Sequence, residues 1–407
     1  MDLLTIIDNL DECYPHFCST LPSSALLMFT PIPNLSTPLT IEKNTILYMK
    51  MDHTDHYQLM TNATLFVFPF KIHEHTAYSI TLSCLTNHFI WPADTPLRVT
   101  LKESDLVTLQ CFAELARTKI SLKINDHYIS TSVKLAYIEN SVNPYEQVNI
   151  FCNLPHQLLT LHIYPERELI VNSEQLCIYF NPPLNDFHNS FNYLINTISA
   201  FNIVKTRSEP IRILNTRLEY AINPDSQLIG GQLELCSNKT HFLLSPEFVA
   251  ANHQSIISLP IICHQPNLFQ SITTSNVSFY EHEQDHIRSI SLINKLTPPI
   301  DPVIKLQLLK LLTLLNFDYL NTRDPTNQLK EFLHLHNRQQ LPIIKELIES
   351  IYQVTITPIH TNTLNYQLHF SINHPLQPFL LALLRYFFKQ HRPINTHVEV
   401  NHALPTV

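Results

Sequence analysis

The residues with the clearest chemical potential form the string His282-Glu283-Gln284-Asp285-His286. In zinc hydrolases this H-E-x-x-H pattern places two imidazoles one helical turn apart on the metal, and the glutamate acts as general base. That geometry requires a helix. The flanking residues 276–280 and 287–291 have the pattern of strands instead, which favours a polar hairpin loop. We therefore assign no metal site, and His282, Glu283 and His286 are the alternative set of ligands.

Other histidines are also closely spaced, and the pairs are His53/His56, His73/His75 and His334/His336. His73 and His75 would lie on the same face of a strand, where two imidazoles could bind a metal ion. A solvated strand face that binds nothing is the other interpretation of that pair.

Glycine is almost absent from this chain. The only two glycines are the adjacent Gly230 and Gly231, whereas about 7% of an average chain is glycine. Phosphate-binding loops, dinucleotide fingerprints and the nucleophile elbow all need glycine at fixed spacings. We therefore assign no catalytic and no cofactor-binding residues, and we expect no cofactor. The Gly-Gly pair is predicted to form a hairpin turn or bulge, and asparagine is expected to replace glycine in other turns.

The composition is that of a folded protein, with 407 residues, 44% hydrophobic, 15% charged and a formal net charge of −8. The basic residues form no run, so direct nucleic-acid binding is not expected. No apolar stretch approaches the length of a membrane span, and the acidic N-terminus lacks the features of a signal peptide. An intracellular protein with free thiols follows, and the cysteines form no C-x-x-C pair.

The pattern from about residue 25 to 295 is that of short antiparallel strands. Strands are predicted at 64–68, 77–82, 97–101, 119–124, 158–163, 212–220, 232–235, 287–293, 354–356 and 366–370. Helices are predicted at 304–312, 329–335, 341–352 and 378–389. The fold class is therefore mainly β, a β-rich α+β protein with a helix-containing C-terminal part.

Domain boundaries are expected at proline-rich or polar segments. The segment Asn181-Pro182-Pro183 divides the β region into an N-terminal domain at 1–183 and a second domain at 184–392. The second domain carries helical insertions at about 300–352 and 378–389. Residues 393–407 are polar and are predicted to be a flexible tail.

One stretch carries a family resemblance. In Phe89–Leu101 an apolar strand passes through Trp91-Pro92 and Asp94 into a β-branched strand, which is similar to the first motif region of dUTPases. With its length and its two β-rich halves, the chain resembles the herpesvirus dUTPase-related proteins, above all the gene 10 and gene 11 class of gammaherpesviruses. That resemblance implies two dUTPase-like antiparallel β-sandwich or jelly-roll domains. Trp91 is expected to anchor the core of its domain.

The chain departs from a working dUTPase. It has no Arg-Ser-Ser phosphate loop, and Arg207-Ser208-Glu209 is the nearest string. The resemblance therefore implies a monomeric, non-catalytic viral accessory protein in the host cytoplasm or nucleus. It would bind host proteins and modulate innate immunity, host gene expression or mRNA export. An active dUTP or zinc hydrolase and a tegument or virion component are the alternatives.

The zinc alternative gives the first testable prediction. Because the strand-like flanks do not present His282 and His286 on one helical face, we expect the purified protein to contain far less than one equivalent of zinc by elemental analysis. Stoichiometric zinc that is lost in a His286→Ala variant would contradict this prediction.

Overall fold

The computed structural model describes residues 20–50, 56–102, 112, 114–115, 118–125, 127–135, 144–153, 159–184, 192–225, 233–236, 240–266, 278–280, 286–294, 296–300, 324–360, 363–391 and 397–403. Gly230, Gly231, residues 282–285 and the helix predicted at 304–312 lie outside these residues.

The protein is mainly β over the described residues, with 48% strand and 17% helix, which confirms the predicted fold class. The strands are β1 (Ser24–Pro31), β2 (Leu39–Ile41), β3 (Ile46–Lys50), β4 (His56–Thr61), β5 (Leu65–Val67), β6 (Phe70–His75), β7 (Ser79–Cys84), β8 (Phe89–Trp91), β9 (Leu97–Leu101), β10 (Lys119–Ile124), β11 (His127–Leu135), β12 (Thr160–Pro165), β13 (Leu169–Val171), β14 (Gln175–Asn181), β15 (Tyr193–Ile195), β16 (Thr197–Phe201), β17 (Val204–Arg207), β18 (Ile211–Arg212), β19 (Glu219–Ala221), β20 (Glu234–Leu235), β21 (His241–Leu243), β22 (Ile256–Ile257), β23 (Pro260–His264), β24 (Ser278–Tyr280), β25 (Ile287–Leu292), β26 (Ile351–His360), β27 (Thr363–Phe370) and β28 (His397–Ala403).

Proline begins most of the helices. These are α1 (Pro144–Asn153), α2 (Pro246–Ala251), α3 (Pro325–His336), α4 (Pro342–Ser350) and α5 (Gln377–His391). Proline suits the first helical position because its fixed φ is helical and the missing N–H has no intrahelical partner there. Side chains cap two of these starts: Asp324 accepts a hydrogen bond from the backbone N–H of Asn327, and Ser245 accepts one from that of Phe248. None of the described helices combines the length and apolar character needed to cross a membrane.

The chain divides into two compact units, and each is assembled from separate segments. Unit 1 comprises Met1–Thr30, Ile41–Leu65 and Ile198–Val303, and unit 2 comprises Pro31–Thr40, Phe66–Thr197 and Ile304–Val407. This partition differs from the division at residue 183 that the proline-rich segment predicted. The two units are determined by pairing between strands that are distant in sequence. Local composition carries no signal for such pairing.

Unit 1 contains a six-stranded sheet in the order β24-β3-β4-β16-β1-β25. It also contains two small clusters. One packs Val204, Leu233 and Cys263 beside the sheet β17-β23-β20, and the other packs Ile213, Tyr220 and Val249 beneath the pairs β18-β22 and β19-β21. The single strand predicted at 212–220 is wrong, because a turn separates β18 from β19. The Tyr220 hydroxyl closes this turn by donating to the carbonyl of Arg217 at 2.9 Å.

Unit 2 contains an eight-stranded sheet in the order β15-β9-β12-β11-β10-β14-β7-β6. Its strands β10 and β14 alternate between a buried apolar face and a more exposed, polar face, as the period of two requires. In β10, Ile120, Leu122 and Ile124 are buried, and Leu122 pairs with Ile178 of β14 and with Ile129 of β11. The register is therefore specified by burial, since a slip of one residue would place these side chains in water.

The C-terminal part of unit 2 holds a parallel strand pair. Strand β28 pairs in parallel with β27, and α5 connects the two strands. The ring of Tyr366 stacks on that of Phe388 at 4.5 Å, and Arg385 Nε donates to the carbonyl of Val400 at 2.7 Å. Residues 397–403, which were included in the predicted flexible tail, form strand β28. The alternating Val398 and Val400 were the signal for a strand, and α5 supplies the surface that buries Val400.

Turns are made without glycine wherever the structure describes them. The described residues with positive φ are all Asn or Gln, namely Asn34, Asn44, Asn125, Asn196, Gln254 and Gln340. Asn196 is the one that is buried, and it links β15 to β16. Its Oδ1 accepts from the Phe68 backbone N–H at 2.8 Å and its Nδ2 donates to the Phe68 carbonyl at 2.9 Å. The side chain therefore pairs with the Phe68 backbone as a neighbouring strand would.

This pairing generates a prediction for stability. Asn196→Asp keeps a residue type that tolerates φ of 56° but replaces the amide donor with a carboxylate oxygen facing the Phe68 carbonyl. We expect it to lower the free energy of unfolding by about 2 kcal/mol or more, measured by urea denaturation. The matched control is Asn44→Asp, at an exposed turn with φ of 68°, where we expect less than about 0.5 kcal/mol. Equal effects at the two positions would contradict this account of Asn196.

Candidate functional site

The predicted zinc ligands are not assembled into a described site. His286 lies in an exposed turn directly before β25, and His282 and Glu283 lie outside the described residues. Within the part of the chain that the structure describes, no group of three or more His, Cys, Asp or Glu side chains could hold a metal ion. The alternative site at His282, Glu283 and His286 therefore stays a prediction.

The pair His73 and His75 does not form a shared face for a metal. A register shift between Ile72 and Glu74 leaves His73 outside the pairing of β6 with β7. His73 is exposed, whereas His75 is half-buried and packs its ring on Tyr193 at 5.3 Å. The bulge separates the two imidazoles, and a bulge cannot be read from the spacing of two residues.

The other histidine pairs have structural surroundings. His334 Nε2 lies 3.1 Å from a carboxylate oxygen of Glu349 at the surface. His336 is buried, with its Nδ1 2.8 Å from the Phe332 carbonyl, and its own carbonyl accepts from Asn153. His56 begins β4, and His53 lies outside the described residues.

Trp91 and the nearest match to a phosphate loop are both structural. Trp91 is fully buried, its Nε1 donates to the Thr95 carbonyl at 2.7 Å, and its ring meets Phe68 edge-on at 4.9 Å, as expected of a core anchor. Ser208, next to Arg207, is buried, and its Oγ accepts from the Leu259 backbone N–H at 3.0 Å. This hydroxyl fixes a loop.

The cysteines in the described residues are free thiols, as the sequence predicted. Burial raises the pKa of Cys236 to about 12 and that of Cys263 to about 11. The thiolate is the nucleophilic form of cysteine. Neither residue is therefore a nucleophile at neutral pH.

A buried polar network lies where β9, β12 and the start of β16 meet in unit 2. Arg98 Nε donates to His162 Nε2 at 2.9 Å, and Arg98 also donates to the Thr197 carbonyl. The Thr100 hydroxyl lies 2.9 Å from that of Thr160 and 2.8 Å from that of Thr197. This network was not predicted from the sequence, although Arg98 and Thr100 inside the apolar strand 97–101 were a signal. Its buried hydrogen bonds fix the positions of the strands, because a buried donor or acceptor without a partner lowers the free energy of unfolding.

A small module in unit 1 exposes apolar side chains. We define the satellite module as residues 211–222 and 240–257, which contain β18, β19, β21, α2 and β22. Its fully buried core is the cluster of Ile213, Tyr220 and Val249. The exposed large hydrophobic residues of the module are Leu214 (41%), Leu218 (43%), Leu243 (75%), Phe248 (41%) and Ile256 (69%). Two-stranded sheets are only marginally stable by themselves. The module nevertheless exposes several large apolar side chains, and a group of such side chains is typical of an interaction surface.

One family model matches part of the chain, including part of the satellite module. The family model of the type VI secretion system protein TssF matches residues 242–370. This match begins inside the satellite module and ends with β27. No curated protein matches the chain.

The fold is similar to that of a chain in the cryo-electron microscopy structure of the type VI secretion system TssK-TssF-TssG baseplate subcomplex. The TM-score is 0.69 at 13% sequence identity, over 99% of this chain and 92% of that chain. The six-fold symmetrised baseplate of the anti-feeding prophage gives a TM-score of 0.27 at 7% identity, over 98% of this chain and 61% of that chain. At that TM-score the second likeness supports no argument.

These findings overturn the resemblance to herpesvirus dUTPase-related proteins. The matching family and the similar fold are both of the type VI secretion system. The expected viral accessory function, the host-protein partners and the host-cell location are therefore wrong. The error has a physical origin: short strands, proline-rich turns and a Pro/Asp loop are common to many β-rich folds, so they do not specify one family.

His374 is a buried titratable group close to the start of α5. It is 2% exposed, its Nδ1 accepts from the Leu376 backbone N–H at 3.2 Å, and its carbonyl accepts from the Gln377 N–H. Burial lowers the pKa of His374 below its ordinary value, against an opposing effect of the Glu346 carboxylate. The folded protein therefore holds the neutral imidazole.

This burial predicts acid sensitivity. The folded pKa lies below the unfolded value of about 6.5, so the unfolded chain binds the proton first. Stability is full above about pH 6.5 and is lost as the pH falls toward the folded pKa of His374. His374→Asn keeps an acceptor for Leu376 and removes the titration, so we expect a shallower loss of urea-unfolding free energy between pH 7 and 5. An exposed control, His253→Asn, should retain the wild-type slope, and a His374→Asn slope equal to wild type would refute the assignment.

Proposed function

We propose that this protein is a structural component of a type VI secretion baseplate, in the role of a TssF-like subunit. The observation that carries the proposal is the match of the TssF family model to residues 242–370, in a chain whose fold is similar along 99% of its length to a chain of the TssK-TssF-TssG subcomplex. In this role the protein assembles with counterparts of TssK and TssG in the bacterial cell-envelope machinery.

The surface of the satellite module supports an assembly role. Leu243 and Ile256 are 75% and 69% exposed, although each lies in a β-pair beside a buried core. The described charged side chains of the module are Arg212, Arg217, Glu219 and Glu247, whose formal charges cancel. Low net charge and exposed apolar area are the features of a surface that a partner protein covers.

The proposed role is non-enzymatic. A scaffold subunit acts by holding surfaces in fixed positions, and the polar groups of the described interior serve that purpose. Arg98, His162 and Thr100 bridge strands, and Asn196 links two segments of backbone. These side chains use their hydrogen bonds for structure, which supports a scaffold.

Co-expression tests this proposal. We expect the full chain to co-purify with the TssK and TssG counterparts of its source genome as one species in size-exclusion chromatography. The double variant Leu243→Asp with Ile256→Asp should weaken complex formation at least tenfold, because it places charge on the apolar surface of the module. Both side chains are exposed, so the variant should fold, which circular dichroism and thermal unfolding would verify.

The matched control is Ile170→Asp with Ile372→Asp, since Ile170 and Ile372 are 57% and 46% exposed and lie in unit 2. This variant should assemble as the wild type does. A wild-type chain that remains separate from both counterparts would overturn the proposed function. Assembly that both double variants leave intact would remove the satellite module from the interface while keeping the baseplate role.

A further inference from the structure

One face of the eight-stranded sheet in unit 2 has a charge opposite to that of the whole protein. The chain carries 34 acidic and 26 basic residues, yet the five adjacent strands β12, β11, β10, β14 and β7 contain no Asp or Glu. These strands carry three lysines, Lys119, Lys123 and Lys134. We define this set of strands, on its polar side, as the basic face.

Strand register places these lysines with tyrosines on the polar side. Lys123 pairs with Tyr128, and Ser121 pairs with Tyr179 and with Ser130, while the intervening Leu122 is buried. Lys119 and Lys134 are exposed, and Tyr128 is 58% exposed. The basic face is thus solvated where β11, β10 and β14 carry exposed or half-buried lysine, tyrosine and serine, whereas Thr160 and His162 on the same side of β12 are buried.

The aromatic rings order this surface. The Lys123 ammonium lies 5.7 Å from the centroid of Tyr128, and the Lys134 ammonium lies 4.8 Å from that of Tyr164. Tyr128 and Tyr179 meet edge-on across β10 at 5.3 Å. Cation–π contacts hold each ammonium close to the sheet, and the tyrosine pair restricts both rings. A surface that is already ordered loses less conformational entropy when it binds.

Acidic residues appear at the borders of the basic face. Glu74 lies on β6 beyond β7, and Glu166 and Glu168 follow the end of β12; all three are exposed. Asp126, in the β10–β11 connection, lies outside the described residues. The positive charge is therefore confined to a patch in the middle of the sheet.

We infer that the basic face binds an acidic, extended segment of another protein. Tyrosine and serine are the residues of protein-binding paratopes, because tyrosine gives rigid contact area and serine gives adaptable hydrogen bonds. Nucleic-acid sites need denser positive charge and favour arginine, which the five strands lack. Lys119 and Lys123 are about 14 Å apart along β10, which is two repeats of about 7 Å between same-side residues of an extended chain.

The size of the basic face fits a segment better than a whole domain. Its solvated part, on three strands about 4.8 Å apart and about 20 Å long, presents about 290 Å². A standard interface buries about 800 Å² on each partner, so this face alone supplies part of one. This inference does not depend on the proposed function, because it uses only residues of this sheet.

Fluorescence anisotropy with the full-length protein and fluorescein-labelled poly-L-glutamate of about 20 residues tests it. We expect saturable binding at low ionic strength that weakens as salt screens the charges. The triple variant Lys119→Glu, Lys123→Glu and Lys134→Glu should weaken this binding at least tenfold. Lys→Gln changes at the same positions remove the positive charges without introducing negative ones. They should also weaken binding, to a smaller extent. Tyr128→Ala should weaken it severalfold, and Tyr128→Phe should keep most of the affinity.

The matched control reverses three exposed lysines elsewhere, Lys43→Glu, Lys205→Glu and Lys345→Glu, and changes the net charge equally. It should bind within about twofold of wild type. Equal losses in both triple variants, or no binding by wild type, would overturn the inference. Tighter binding of a dT20 oligonucleotide than of poly-L-glutamate, lost in the basic-face variant, would reassign the face to nucleic acid. Each of these outcomes leaves the co-purification result unchanged, so the two proposals fail independently.

Discussion

Backbone turning without glycine is the constraint on which this structure depends. A positive φ is sterically unfavourable for a residue that carries a Cβ. Asparagine is among the few such residues that adopt a positive φ readily. Four of the described positive-φ residues are asparagines, and Asn196 uses its amide a second time to pair with both backbone groups of Phe68. One residue thereby takes up the positive φ between β15 and β16 and satisfies both backbone groups of Phe68. Loss of either role would leave buried backbone groups unpaired.

Proline is the second residue type that shapes the backbone, because it begins most of the helices. Four of the five helices in the described chain begin with proline, and Asp324 and Ser245 cap two of these starts with side-chain oxygens. Helix starts are therefore encoded locally even though helix ends lack the glycine that commonly terminates them. The elements built this way are short, and their positions are fixed by pairing and burial. Arg98, His162 and Thr100 show this best, since their buried hydrogen bonds hold β9 against its neighbours.

Two surfaces follow from this architecture, and they differ in physical character. The satellite module exposes apolar side chains such as Leu243 and Ile256 with charges that cancel. The basic face presents ordered lysines and tyrosines, with Lys134 over Tyr164 and Lys123 over Tyr128. Apolar burial supplies affinity in proportion to area, whereas charge complementarity governs orientation and association rate. The two surfaces would therefore contribute differently to binding, the satellite module through apolar burial and the basic face through charge.

The sequence by itself determined the class of the protein and many of its elements. Strand β9 and strand β10 begin and end where alternation predicted, and Trp91 is buried because an indole among apolar strand residues has no better environment. The glycine count also argued against nucleotide-binding loops, because such loops need glycine at fixed spacings. Tertiary structure alone decided the units, the bulge that separates His73 from His75, the strand at 397–403 and both surfaces. These depend on which distant segments pair and which faces remain uncovered, and pairing between distant strands leaves no periodic trace in either strand. The resemblance to dUTPase-related proteins was wrong for the same reason, since short strands and proline-rich turns are shared by many β-rich folds.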